Sequence, residues 1–403
     1  MPDEKNREEK NEEKPLEDLG VSGLSRKPRK WQTCTPSSLP EVIIKRAYEV
    51  GVVSEDSRAA TYFQIDHSVL SRAVQKAFQG QLEVMSTKEA MKKYDWSKKY
   101  WWNLINKDMD QFTRLAYTKW DHGYFIRILE DQKVTLPLQS CFFVFTDYLN
   151  QNVHNVIIAE PGSEAQIITG CTVHPNIRGG LHVGVSEFYI KEGAKLTFTM
   201  IHAWNRNFNS HPRSAALIED DAVFVSNYLL FQPVRNLQTY PTAYCKGANS
   251  RVEFNNIIYG SGDSHIDVGS KVILQNSGAR GEIITRALAT DNAKIYARGL
   301  LQGEHEESKA HLECRGLLLS DNAMIYTVPE LLAKAQGADL SHEAAVGKIA
   351  EEEICYLMSR GFSEKEATSL IVRGFMDVSI FGLPRNLEEN IKRIISITAE
   401  RAL

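Results

Sequence analysis

Two stretches, TDNAKIYA (290–297) and SDNAMIYT (320–327), repeat one pattern, with Ala293 and Ala323 in equivalent places. In each, a turn-forming Asp-Asn pair precedes a small residue, and an alternating run follows whose side chains fall on opposite faces of an extended chain. The pattern extends towards the N-terminus through AEPGSEAQI, IKEGAKLTF, IEDDAVFVS, KGANSRVEF and VGSKVIL. With Ser163, Ala194, Ala222, Ser250, Ser270, Ala293 and Ala323 as register marks, the successive intervals are 31, 28, 28, 20, 23 and 30. A strand-rich unit recurring at this spacing, with no helix between, reads as the coil of a β-solenoid whose inner face is buried by its neighbours. A β-sandwich would show much closer turn signals and no internal resemblance. The fold expected is all-β, a parallel β-helix over about 121–330.

The flanks read differently. Residues 1–30 are expected to be a disordered charged tail, since MPDEKNREEKNEEKP carries almost no apolar area to bury, and SRKPRK (25–30) continues it as a solvated basic linker. Residues 31–120 are expected to be a helical domain: LPEVIIKRAYEVG has Pro40 at a helix start and Gly51 past its end. YDWSKKYWWNLI belongs to the same zone, and Trp96, Trp101 and Trp102 read there as a packing face with no chemistry of their own. Residues 331–403 are expected to be a second helical domain, built from HEAAVGKIAEEEICYLMSRG, the capping box Ser363/Glu366 with its following helix, and NLEENIKRIISITAERA.

Composition narrows the function. The 47 basic and 51 acidic residues give a net charge of −4, which speaks against a nucleic-acid or anionic-lipid binder. No run approaches a membrane span and no signal segment is seen, so the chain reads as cytoplasmic. The six cysteines, Cys34, Cys141, Cys171, Cys245, Cys314 and Cys355, are too widely spaced for a disulfide framework or a CxxC site and read as reduced thiols. Against that background AHLECRGLLL and SHEAAVGKI stand out, because Cys314 in the first is followed by His342 and Glu343 in the second. A thiol, an imidazole and a carboxylate are the ligand types of a mixed iron-sulfur site, although a lone strand cysteine is more often packing. His174, His182 and His202 read as structural or surface groups.

The stretch from about 121 to 400 resembles the SufB/SufD family of iron-sulfur cluster assembly scaffolds. The resemblance is carried by HNVIIAEPGSEAQIITGCTV, LHVGVSEFYIKEGAKLTFTMIHAWN, YPTAYCKGANSRVEF, IDVGSKVILQNSGARGEIITRALA and the long segment from Cys314 to Phe375. It implies a right-handed parallel β-helix between helical domains, and a non-enzymatic scaffold on which a nascent 4Fe-4S or 2Fe-2S cluster forms at a subunit interface before transfer to recipient apo proteins. Cys314 matches the SufB-type cysteine, Glu343 the acidic ligand candidate and His342 the histidine before it, while Ser341 replaces a glutamate frequent in SufB. The position of the SufB persulfide acceptor is Ala243 here. Cys245, two residues on and on the same side of a strand, is the substitute acceptor candidate, with free sulfide as the alternative to a cysteine desulfurase. The resemblance further implies a SufC-type ATPase docking on the C-terminal helices, with Ile371, Phe375 and Met376 as contacts, and a homodimer or a SufD-like sister subunit. A P-loop is absent, so no nucleotide site is expected in this chain. Reduced flavin is considered for the family complex and has no sequence support here. The rival readings are a SufD-like structural partner and a β-helix polysaccharide-processing enzyme.

Overall fold

The computed structural model describes residues 24, 27–33, 38–52 and 57–377 and eight residues between 385 and 396. Most of the expected tail, Cys34 and the end of the last expected helix lie outside the described residues.

The chain enters through α1 (Glu41–Glu49), β1 (Ala60–Ile65), β2 (Ser68–Val74), β3 (Leu82–Ser86), α2 (Thr87–Lys93) and α3 (Gln111–Thr118). Next come β4 (Tyr124–Ile128), β5 (Leu138–Val144), β6 (Leu149–Ala159), β7 (Glu164–Val173), β8 (Gly180–Ile190) and β9 (Lys195–Ala203). The middle holds β10 (Phe208–Ser210), β11 (Arg213–Ile218), β12 (Val223–Leu230), β13 (Asn236–Thr239) and β14 (Thr242–Cys245). The regular end comprises β15 (Arg251–Gly260), β16 (His265–Leu274), β17 (Arg280–Ala289), β18 (Lys294–Gly303), β19 (Lys309–Leu318), β20 (Met324–Ala333) and β21 (Asp339–Gly347), followed by α4 (Glu351–Ser359) and α5 (Glu364–Phe375).

These strands form two long sheets of stacked parallel coils, a β-solenoid. We call sheet I the one that runs β2-β1-β5-β7-β9-β12-β15-β17-β19-β21; the opposite wall is sheet II. The turns explain the repeat. Gly162, Gly193, Asp221, Asn249 and Gly278 all have positive φ, a conformation that Gly, Asn and Asp tolerate, and each directly precedes a small residue. That small residue is sealed between coils: Ser163, Ala194, Ala222, Ser250 and Ala279 are buried. The turn N–H groups bond the next coil, as from Gly193 to the Asp220 carbonyl at 2.8 Å and from Asn249 to the Ser277 carbonyl at 2.8 Å.

The two short intervals on either side of Ser270 arise because that residue lies inside β16. The turn residues there are Ser264 and Ala279, so the marks form two interleaved series, one per sheet. In sheet I, Ser250, Ala279 and Ser308 are evenly spaced.

The flanks depart from the helical expectation. β1 pairs parallel with β5, so the solenoid begins inside the zone read as helical; the β1–β2 hairpin and β3, antiparallel to β4, finish that end. Lys-rich YDWSKKYWW forms a 3-10 turn over Asp95–Tyr100. At the other end strand structure continues past 330 through β20 and β21, and helix starts only at Glu351. SHEAAVG has helical spacing, but pairing along β19 satisfies its backbone and overrides that local preference.

Side chains from both walls fill the interior, with Phe142, Ile157, Ile167, Phe188, Leu196 and Leu274 among them; each fully buried large aliphatic or aromatic group contributes about 1.5–3 kcal/mol. Outside sheet I, α1 and α5 cover a second cluster that includes Ile168, Leu229, Ile257, Leu288 and Val372. Outside sheet II, α3 packs through Phe112 and Ala116 on Leu181, Val183 and Val185. The buried Glu187 carboxylate fixes that docking by accepting from the N–H groups of Trp102 at 2.8 Å and Leu104 at 2.5 Å, and from the His154 ring at 2.8 Å.

Sheet II is interrupted where His211–Pro212 separates β10 from β11 and Tyr240–Pro241 separates β13 from β14. Proline cannot donate to a ladder, so the wall opens there. Arg213 bridges the opening: it donates to the carbonyls of Pro212 at 2.9 Å and Gln238 at 3.0 Å, to Gln238 Oε1 at 2.9 Å, and to Asp110, the N-cap of α3, at 2.6 Å.

Candidate metal centre at the end of the solenoid

Cys314 sits on β19, whose alternating burial turns Ala310, Leu312 and Cys314 inward. Register places it in a row between Thr285 on β17 and Ala344 on β21, the last strand of sheet I. Burial, with the Glu313 charge adding to it, pushes the Cys314 thiol up to about 11, so it is protonated at neutral pH.

β21 pairs His342 with Leu312 and Glu343 with Glu313. By the two-residue period, His342 falls in the inner row, diagonal to Cys314, and Glu343 in the outer row. There Arg315 stands 2.9 Å from Glu313 and 3.7 Å from Glu343. Cys314 and Glu343 thus occupy opposite faces of one sheet, so one chain does not bring the three residues together; the expected ligand set spans two subunits. Among the described residues no group of three or more His, Cys, Asp or Glu side chains is gathered to hold a metal ion.

Among the described residues this end of the solenoid is nonetheless open. β20 and β21 are terminal strands with unpaired outer edges among the described residues, and Tyr326, Leu332 and Val346 are 57%, 44% and 40% exposed. Cys314 lies one strand in from this edge.

The sequence reading missed what lies behind Cys314. In one continuous inward row of sheet I stand Ser140, Thr169, Met200, Tyr228, Asn256, Thr285 and Cys314. Ser140 and Thr169 share a hydrogen bond of 2.6 Å, and Asn256 donates to Thr285 at 3.2 Å. Tyr228 bonds the ring of His202 at 2.8 Å, and His182 bonds Gln151 at 2.9 Å; both histidines are buried in the interior rather than on the surface. Desolvation lowers both imidazoles, so they are neutral. A small cavity of about 40 Å³, enough for a few waters, touches Met200, Tyr228 and Asn256 and reaches the wall opening at Pro212, Thr239 and Pro241.

Ala243 and Cys245 both point inward from β14, as their spacing requires, and both are fully buried. Burial pushes the Cys245 thiol up to about 12, with the Ser250 hydroxyl opposing that rise. Cys245 belongs to sheet II, in a row with Ile218 and Leu274, and Cys314 to sheet I.

At the C-terminus α5 carries the anticipated capping box between Ser363 and Glu366. Val372 and Met376 are buried against Leu229, Ile257, Leu288 and Leu317, so Met376 is part of the packing that holds α5 in place. Ile371 and Phe375 are half-buried, and Ile371 lines a cleft of about 430 Å³ with Tyr356 and Leu357 of α4. Tyr356, Met358 and Phe362 are exposed beside it. No helix among the described residues is long and apolar enough to cross a membrane.

Comparison with known proteins fits this architecture. The family model described as "SUF system FeS cluster assembly, SufBD core domain" matches residues 143–375. An iron-sulfur cluster assembly SufBD family protein of Archaeoglobus fulgidus is 47% identical over 360 residues, 89% of this chain and 95% of the relative. A protein of the same description from Methanothermobacter thermautotrophicus strain Delta H is 44% identical over 365 residues, 89% of this chain and 88% of the relative. The iron-sulfur cluster assembly protein SufB of Bacillus subtilis is 25% identical over 395 residues, 95% of this chain and 82% of the relative. The chain belongs to the SufBD family of the SUF iron-sulfur cluster assembly system.

Proposed function

We propose that this protein is the scaffold subunit on which a nascent iron-sulfur cluster is assembled before transfer to apo proteins, and that its ligand set is completed across an interface between two copies. The observation that carries the reading is the position of Cys314, in the inner row one strand from an open end, with His342 on the terminal strand beside it. A second chain pairing along β20 or β21 would cover the exposed Tyr326, Leu332 and Val346 and supply a second Cys314 and His342. Glu343, on the outer row and held by Arg315, joins such a site only if the terminal strand twists at the interface. Cys314 releases its proton on ligating iron, and because it is buried, loading on this reading includes opening of the end beside β21.

The exposed cleft between α4 and α5 supports docking of a SufC-type ATPase, whose nucleotide-driven motion would supply that displacement. Complete burial of Cys245 favours free sulfide over a protein-borne persulfide as the sulfur source, since a partner's active site cannot reach it without opening the wall. Anaerobic reconstitution with ferrous iron and sulfide tests the scaffold role. We expect a Mössbauer-defined cluster in the wild type that is lost in Cys314→Ala and weakened in His342→Ala. No cluster in the wild type, or one indifferent to Cys314, would contradict it.

A SufD-like structural partner is the second reading. It is favoured by the burial of Cys314 and by its separation from Glu343 across the sheet.

A further inference from the structure

On the outer side of the sheet II opening, a groove of about 300 Å³ runs between Tyr240 and the strands β16, β18 and β20. Asp267 and Lys271 stand on its β16 side, Arg298 on β18 and Glu330 on β20, with Leu300 beneath. Register sets this pattern: Lys271, Leu300 and Glu330 share one row, and Gly269 faces Arg298. Gly269 is there because Tyr240 lies on it. A Cβ at 269 would come within 2.7 Å of the Tyr240 ring and 2.5 Å of the Arg298 carbonyl.

Asp267 and Arg298 are paired, and the Arg298 guanidinium also lies 5.8 Å from the Tyr296 ring centre, while Lys271, Glu330 and the Tyr240 hydroxyl are unspent among the described residues. Arg298 uses Nε on Asp267 at 2.6 Å, while its Nη atoms make no hydrogen bond among the described residues. Lys271 and Glu330 have no ion-pair partner among the described residues, and neither does the Tyr240 hydroxyl have a hydrogen bond there. Burial, reinforced by the Glu330 charge, pushes the Tyr240 phenol up, which keeps it a donor at neutral pH.

Two cations and two anions cancel in the groove. A phosphate or another polyanion meets Glu330 as well as Lys271 and gains little over water, whereas a net-neutral ligand with separated charges satisfies both ends. Lys271 and Glu330 lie two strand spacings apart in one row, about 9.6 Å between backbones, so a ligand that meets both must be compact.

We propose that this groove binds a free α-amino acid as its zwitterion, with the carboxylate on Lys271, Arg298 and the Tyr240 hydroxyl and the ammonium on Glu330. Thr239 lines both the groove and the interior cavity, and the proposed pose turns the side chain of the bound amino acid towards this shared residue. For L-cysteine the thiol would sit at that opening; this last point rests on the scaffold reading, while the binding does not.

Isothermal titration calorimetry on the full chain, without iron and under reductant, separates the two. L-Cysteine should bind one to one with Kd of about 1 mM or tighter, and 3-mercaptopropionate and cysteamine, each lacking one charge, roughly tenfold more weakly. Glu330→Gln and Lys271→Met, both at solvent-facing positions and checked for unchanged Tm, should each weaken cysteine about tenfold. Equal binding of L-alanine would keep the amino-acid site and remove its link to sulfur. Absence of saturable binding by either amino acid, or full affinity for 3-mercaptopropionate, would overturn the proposal.

Discussion

A thiol in the inner row between Thr285 and Ala344 is held in its protonated form, and this decides how Cys314 behaves. Its pKa rises from an ordinary 9.0 to about 11 through burial first and the Glu313 charge second. The sign of the stability effect follows. As pH rises through this window the unfolded chain sheds the proton first and binds fewer protons than the folded one, so the thiol makes stability fall from about pH 9 to 11 and adds no pH dependence below it. Cys141 and Cys245 are shifted by burial in the same direction. Among the described cysteines Cys355 alone is exposed. Iodoacetamide at about pH 8 should therefore modify Cys355 in the native protein, and Cys141, Cys171, Cys245 and Cys314 only on unfolding, as read by peptide mass mapping. Fast native labelling of Cys314 would show that the terminal strand opens without a partner.

At the scale of elements, the solenoid was legible because its turns demand particular residues. Gly, Asn or Asp must take the positive φ, and a small residue must follow where coils stack. The inward row ending at Cys314 was legible too, had the marks been exact. Thr169, Met200, Tyr228, Asn256, Thr285 and Cys314 each stand at the same offset from their turn residue, from Ser163 through to Ser308. Taking Ser270, a residue inside β16, as a mark hid that offset. The terminal strands were harder to see, because SHEAAVG has helical spacing and only its pairing with β19 makes it extended. The faces of α5 also needed the structure, since amphipathic spacing does not say which apolar residues are spent on packing. Met376→Ala should destabilise the fold by about 2–5 kcal/mol in urea denaturation, through loss of a fully buried side chain. Ile371→Glu, at the open cleft, should leave the urea midpoint nearly unchanged and abolish capture of a SufC-type ATPase. The reverse pattern would place the docking surface elsewhere.

At the scale of the whole molecule, the two ends of the solenoid are treated differently. The start is finished by antiparallel strands and helices, while among the described residues the far end stops at β20 and β21 with apolar side chains in view. On the proposed reading this edge, bare among the described residues, is a pairing surface, and the candidate ligands on its inner and outer rows are completed by a second copy. The scaffold reading therefore requires a second chain at this end. The measurement that tests this most directly is iron and sulfide content per chain, taken with the molar mass by light scattering, on anaerobically reconstituted wild type and on Val346→Lys/Leu332→Lys. We predict a cluster-bearing dimer for the wild type and a folded monomer without cluster for the double variant. A monomer that retains the full cluster would contradict the account.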